Sequence, residues 1–280
     1  MATIAGRWTL ARPGPGAELL PYGLFKVAPP QSGMDDHAFI GGLVFQSPFC
    51  KQGQGYAVNC PPGSKAASFT GGYTNASADP FMVLVGSECG AMSGDENRSP
   101  DQYSEDLVVN ALRAQEQRLV ENIFSTGAVG QAPSLSSGGT QLAAAANVVT
   151  GIQALEAAFA AVYGLPAVIH IPIVASAMIM NAHLLDKDSA GVWRTALGNA
   201  VSFGNYAGNR VDTGVAPAAG HTTLAITGQV SVWRNDIFVS DWEASIDKIT
   251  NQVHRYAERT YLVDYECAPL GVDVDFTVCC

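Results

Sequence analysis

The stretch Ser99–Gly127, SPDQYSEDLVVNALRAQEQRLVENIFSTG, decides how the rest of the chain is read. Ser99 stands at a helix N-cap, Pro100 at the first helical position, Asp101 in the first turn and Gln102 three residues after the cap, which together form a capping box. No Gly or Pro follows before Gly127, the C-terminal stop. Val108, Leu112, Leu119 and Ile123 recur at helical spacing and are expected to face the core. Arg113, Glu116, Arg118 and Glu121 are expected on a solvated or intersubunit face. At 1.5 Å per residue, about 25 residues make a rod of about 37 Å, longer than most globular helices.

Upstream the sequence has a different character. Residues 1–98 are rich in Gly, Pro, Ser and aromatics, as in ARPGPGAELLPYGLFKVAPPQSG, and hold no sustained helical period. Short β-like runs occur at Phe39–Phe45, Ser68–Tyr73 and Pro80–Gly86 between Gly and Pro punctuation. The reading is an extended arm over 1–40 and a long loop or β-ribbon over 41–98. Long structureless segments are uncommon inside a compact domain, so an arm of this kind is expected to lie on a neighbouring subunit.

Downstream, a Gly/Ser linker (127–139) completes a 99–139 segment. An Ala-rich helix is expected over Thr140–Tyr163, ended by Gly164-Leu165-Pro166. A buried strand (Ala167–Ile171) and a third helix (Ile173–Leu185) follow. Next come glycine-punctuated segments and strand-like runs at Thr222–Trp233 and Ile237–Ser240, completing a 140–240 unit. The closing 241–280 segment carries Arg259–Tyr265 and Val272–Val278, with Asp273 and Asp275 on one face. No internal repeat stands out.

Composition narrows the function. The chain has 280 residues, 48% hydrophobic and only 14% charged, against roughly 25% charged in an average globular protein. That apolar content excludes a disordered chain and fits a surface that meets protein. Net charge is −10, with 15 basic residues against 25 acidic and only five lysines, so a counterion-releasing nucleic-acid binder is not expected. The longest apolar stretch, Leu165–Ala182, is interrupted by Pro166, His170 and Pro172, too broken for a membrane span. The N-terminus does not read as a secretory signal.

Catalytic and ligand-binding signatures do not assemble. Gly86-Ser87-Glu88-Cys89-Gly90 fails the nucleophile-elbow spacing, and no phosphate loop or dinucleotide fingerprint is present. Cys50, Cys60, Cys89, Cys267, Cys279 and Cys280 lack zinc-ligand spacing and are expected to be buried or half-exposed thiols. Asp35-Asp36-His37 and Asp186-Lys187-Asp188 read as solvated loops, without the further ligands a divalent cation needs. His170, in VIHIP, reads as a satisfied core histidine. His183 and His254 have no acid or nucleophile at a recognisable spacing. A dyad of Cys50 or Cys89 with His170 is no more than chance supplies. Asn75-Ala76-Ser77 matches a glycosylation sequon and carries no weight without a signal peptide. The expectation is no catalytic, cofactor-binding or metal site and no cofactor.

The order of elements, together with NQVHRYAERTYLVDYECAPLGVDVDF near the C-terminus, TGQVSVWRNDIFVS before it and RTALGNAVSFGNYAGN upstream, resembles the major capsid protein of tailed bacteriophages, whose shell fold encapsulins share. PFMVLVGSEC and EQRLVENIFSTG are similar to phrases in capsid-type proteins of actinobacterial phages. The resemblance implies an α+β fold with an N-terminal arm (1–40), an extended E-loop (41–98) and a long spine helix with peripheral domain (99–139). An axial domain (140–240) and return strands of the peripheral domain (241–280) complete it. It implies a non-enzymatic virion protein, assembled in the host cytoplasm into hexamers and pentamers of an icosahedral shell that encloses DNA without sequence-specific binding. Separate scaffolding and portal proteins and a decoration protein are the implied partners; no membrane is. No Lys–Asn–Glu crosslinking trio can be placed, so covalent chainmail is not implied. The alternatives are a minor capsid, connector or tail component, an encapsulin-like compartment, and a cytosolic hydrolase.

Overall fold

A computed structural model describes residues 20–34, 37–47, 74–90, 99–136, 138–250 and 252–277. In chain order its helices are α1 (Leu24–Val27), α2 (Ala38–Gly41), α3 (Pro100–Thr126), α4 (Val148–Ala160) and α5 (Ser176–Asn181). The strands begin with β1 (Leu43–Ser47), β2 (Thr74–Ala78), β3 (Phe81–Gly90), β4 (Thr140–Gln141), β5 (Val168–Pro172), β6 (Leu185–Lys187) and β7 (Trp193–Thr195). They continue with β8 (Ala200–Gly204), β9 (His221–Thr227), β10 (Val230–Arg234), β11 (Phe238–Val239), β12 (Ile246–Asp247), β13 (Gln252–Tyr265) and β14 (Leu270–Asp275). The chain divides into two compact units.

The smaller unit takes its described residues from 83–116 and 237–259. It holds the start of α3, where the capping box forms: Ser99 Oγ accepts the Gln102 N–H at 3.3 Å and Gln102 Oε1 accepts the Ser99 N–H at 3.4 Å. The first half of β13 alternates between a buried face (Val253, Arg255, Ala257) and an open one, as a strand with one covered side must. β11 pairs with it through Phe238↔Glu258 and Val239↔Ala257, and β12 through Ile246↔Val253.

The larger unit comprises 20–82, 117–236 and 260–280. Its sheet has the order β4-β14-β9-β5-β8-β7-β6. The β5–β8 and β4–β14 pairs are parallel, the others antiparallel. β5, β8 and β9 are buried almost throughout; β5 therefore reads as a mostly apolar run, whereas β9 buries Thr222, Thr223 and Thr227. Val148, Ile152, Leu155 and Phe159 of α4 pack on this sheet with Ile169, Leu224, Val272 and Val274. Gly151 allows the close approach, since a Cβ there would meet Val274 Cγ1 at 2.3 Å. β10 pairs with the second half of β13, and β1 with β2.

The buried row on α3 is Ser104, Val108, Leu112, Glu116, Val120 and Phe124, each four residues from the last, with Gln117, Glu121 and Ser125 beside it. Leu119 and Ile123 are only half-buried, so the expected stripe is corrected over its second half. Neighbouring elements pack along the slanted i±4 ridge, whereas the sequence reading skipped the polar member at 116. Glu116 and Glu121 are core residues; Arg113 and Arg118 are exposed as expected.

Four other boundaries move. Thr140–Gln141 is a strand and the Ala-rich helix starts only at Val148, because the Asn147 side chain caps it reciprocally with Thr150. The third helix shortens to a 3-10 turn (Ile173–Ala175) and α5, since Leu185–Lys187 is recruited as a strand. Thr222–Trp233 splits at Gly228 into two strands in different sheets. Ala38–Gly41 is a helical turn before β1. The run Ser68–Tyr73 lies outside the described residues.

Candidate assembly surface

In the smaller unit, Arg255 is 5% exposed and organises the polar contacts. Its Nη1 donates to the Asp101 carbonyl at 3.0 Å, to the Asp101 carboxylate and to Ser104 Oγ at 3.2 Å. Nε and Nη2 donate to the Ser240 carbonyl at 3.2 and 2.9 Å, and the guanidinium lies 5.8 Å from the Trp242 ring. A buried guanidinium is tolerated only when its donors are used in this way. The half-buried Arg259 pairs with the buried Glu116 at 2.9 Å. Beside Ser240 lies a cleft of about 390 Å³ whose walls include Phe238, Asp241, Ile246, Asp247 and Tyr256. The Phe238 and Tyr256 rings, 6.4 Å apart, are both exposed.

In the larger unit, Glu121 joins three segments. Its Oε1 accepts the Leu24 N–H at 2.8 Å and Gln117 Nε2–H at 2.9 Å, and its Oε2 accepts the Asn205 N–H at 2.7 Å. Burial raises the pKa of this carboxyl, against the lowering effect of the three hydrogen bonds. Gly23 and Gly204 leave room for it: a Cβ at Gly23 would lie 1.5 Å from Gln117 Nε2, and one at Gly204 2.7 Å from Glu121 Cδ. His170 is 1% exposed. Its Nε2 lies 2.9 Å from Thr227 Oγ1 and its Nδ1 3.3 Å from the Tyr206 hydroxyl. Burial lowers its pKa to about 3, so it is neutral and sealed from any substrate. It is the satisfied core histidine expected.

Two open areas of this unit are apolar. Ile173, Val174 and Met180 are exposed beside a cleft of about 340 Å³ lined also by Tyr22, Trp193 and Phe203. Leu165 and Leu197 are exposed at a second cleft, of about 410 Å³, which also reaches Glu156, Phe159 and Tyr163. Glu156 accepts hydrogen bonds from Thr195 Oγ1 at 2.5 Å and Asn199 Nδ2 at 2.7 Å. Its carboxylate is thereby engaged in holding the β7–β8 turn.

The remaining candidates fall as follows. Asp188 accepts the Ala190 and Val192 N–H groups and pairs with Arg194 at 2.7 Å, a turn-forming role. Gly86–Gly90 lies within β3, not at a strand–helix turn. Cys267 is disulfide-bonded, which corrects the expectation of a free thiol there. Asp35, Asp36, Cys50, Cys60, Cys279 and Cys280 lie outside the described residues. Among the described residues, no three His, Cys, Asp or Glu side chains are grouped to hold a metal, and no helix is long and apolar enough to cross a membrane.

Each unit thus exposes apolar or aromatic side chains beside a cleft. No protein-family model matches the chain, and no curated protein matches it in sequence. Solved structures do match in fold. A chain from the capsid of the native GTA particle aligns with a TM-score of 0.56 over 98% of both chains at 14% identity. A chain from the capsid of the empty GTA particle gives 0.55 over 92% of this chain and 98% of the other at 12% identity. A structure from Mycobacterium phage Cain gives 0.50 over 91% and 90% at 14% identity. The protein therefore has the α+β shell fold of phage-type capsid proteins, running through almost its entire length.

Proposed function

We propose that this chain is a structural virion protein that self-assembles into the icosahedral shell around a phage genome. The observation that carries the reading is the end-to-end correspondence, 98% of both chains, with a capsid subunit. The low charge and the exposed Ile173, Val174, Leu197 and Phe238 support it, because a shell subunit must bury large areas in its neighbours. In this reading residues 1–40 are the arm, 41–98 the E-loop, 99–139 the spine and peripheral segment, 140–240 the axial domain and 241–280 the return strands. A net charge of −10 favours a genome that is enclosed rather than adhered to. Scaffolding, portal and decoration proteins are the partners such a shell would use.

The test is negative-stain microscopy and light scattering of the purified full-length protein. Megadalton closed particles, or isolated pentamers and hexamers, are expected. A stable monomer at micromolar concentration, with or without turnover of a small compound, overturns the reading.

A further inference from the structure

His170, Ser202, Tyr206 and Thr227 meet inside the sheet of the larger unit. His170 is on β5, Ser202 on β8, Tyr206 in the loop just beyond β8 and Thr227 at the end of β9. All four are buried, Ser202 and Thr227 with no exposure. The Ser202 and Tyr206 hydroxyl oxygens lie 2.7 Å apart, and the Tyr206 hydroxyl lies 3.3 Å from His170 Nδ1. His170 Nε2 is 2.9 Å from Thr227 Oγ1, which in turn is 3.0 Å from the Gly228 carbonyl. A carbonyl only accepts, so the single Thr227 hydroxyl proton goes to Gly228 and Thr227 Oγ1 accepts from His170 Nε2–H. Nδ1 of a neutral imidazole is then an acceptor. It takes the Tyr206 proton, and the Tyr206 oxygen takes the Ser202 proton. The opposite direction would turn the Thr227 proton away from Gly228 and leave the Ser202 proton without an acceptor among the described residues. The Phe124 and Tyr206 rings stand T-shaped to the imidazole at 5.6 and 5.3 Å and hold its plane.

Local sequence does little to set the register of these strands. β5 pairs in parallel with β8, His170 opposite Ser202, and antiparallel with β9, Val168 opposite Thr227. Residues 173–199 separate β5 from β8, and residues 173–220 separate it from β9. No tight turn therefore fixes either pairing as a hairpin loop does. Val168, Ile169 and Ile171 are buried on the two faces of β5, so a one-residue slip would exchange one apolar face for another. The polar chain does discriminate. A slip of one residue turns His170 to the opposite face of the sheet, and a slip of two carries it about 6.6 Å along β8. Either takes its ring nitrogens out of hydrogen-bond reach of their partners. A buried polar network that is satisfied in one arrangement alone selects that arrangement.

We infer that the directed chain of hydrogen bonds from Ser202 through Tyr206, His170 and Thr227 to the Gly228 carbonyl is a register lock, in which His170, as the Nε2–H tautomer, pins β5 between β8 and β9. His170 is thus a positioning residue for the central strands of the sheet. The lock lies within a single chain and operates whether or not the subunit joins a shell.

Magic-angle-spinning NMR of the sedimented, isotope-labelled full-length protein tests this in two measurements. In the unmodified chain the imidazole of His170, identified through its sequential links to Ile169 and Ile171, should carry a proton on Nε2 and none on Nδ1 at pH 7. The reverse pattern, or protons on both nitrogens, overturns the proposal. Tyr206→Phe and Thr227→Val each remove one hydroxyl at nearly constant shape. In each variant the cross-peaks that join His170 to Ala200 or Gly204, its neighbours after a two-residue slip, should rise at least tenfold relative to those that join it to Ser202. An unchanged ratio in a folded variant overturns the lock, because the register then has another origin. Failure of both variants to fold also overturns it, since the chain of hydrogen bonds then supports the fold as a whole and does not choose among registers.

Discussion

Asp264 is a carboxyl poorly matched to its surroundings. It is 7% exposed on β13, and its Oδ1 has no hydrogen-bond partner. Burial, opposed by the Tyr265 N–H and helped by the charge of Glu266, pushes its carboxyl up to about 6. Because the folded-state pKa lies above the unfolded value, the stabilisation linked to this group is complete below about pH 4. It is lost as pH rises through 6, where the folded protein must ionise a desolvated acid. Asp264→Asn should therefore stabilise the protein at pH 7.5 by up to about 3 kcal/mol and change little at pH 4. Urea midpoints at the two pH values check this; an equal gain at both would show that ionisation is not the cause. Chemistry at this scale was legible where it depends on neighbours in sequence. The failed elbow at Gly86–Gly90 and the apolar surroundings of His170 could be read directly. The burial of Glu116, Glu121 and Arg255 could not, because each is satisfied by partners far along the chain, such as Arg259, Leu24 and Asp101.

Among elements, α3 shows what periodicity can and cannot specify. Its two ends are set locally: the Ser99–Gln102 capping box opens it, and Gly127, with φ 68°, closes it in the left-handed region. Which residues face inward depends on the ridge against which the partners pack. Leu112→Asp, at a position with no exposure, buries an unpaired carboxylate and should abolish folding. Leu119→Asp, half-buried, should cost about 1–2 kcal/mol and leave a soluble protein. Circular dichroism of the two purified variants separates them, and comparable loss of structure in both would restore the stripe through Leu119. Gly23→Ala tests the junction with α1, since its methyl group would overlap the Gln117 side chain at 1.5 Å. Displacing Gln117 and Glu121 there unpairs the Leu24 N–H. The expected loss is about 2–3 kcal/mol, with amide exchange accelerated over residues 24–28 and not over β5. Uniform acceleration would contradict a local latch. The helix expected over Thr140–Tyr163 failed at its start for a related reason: the alanine run has high helix propensity, but β14 recruits Thr140 and Gln141 through Leu270 and Gly271.

Across the whole molecule, the sequence read as extended near its N-terminus serves two purposes. From Leu20 onward it belongs to the body of the larger unit. Leu24 and Phe25 are essentially without exposure, and the Phe25 ring stacks at 5.8 Å on Tyr261. Gln31 bridges to β10 through the Val232 carbonyl and the Arg234 N–H, both at 2.9 Å. Gly and Pro punctuation hides the single turn of helix α1 in the sequence, because its stability comes wholly from tertiary packing. Two truncations of different length distinguish these parts. Removal of residues 1–19 should leave a soluble, cooperatively folding subunit that fails to complete shells, since it takes away part of the arm but no described core contact. Removal of residues 1–35 strips Leu24 and Phe25 from the core, and two large buried apolar side chains together cost more than about 5 kcal/mol. That is comparable with the total stability of an ordinary domain, so the longer truncation should be insoluble or lack a cooperative thermal transition. Sedimentation and calorimetry of both truncations decide the matter. A well-folded protein lacking residues 1–35 would show that α1 is peripheral to the core, and normal particles from the shorter truncation would show that shell closure does not need the first nineteen residues.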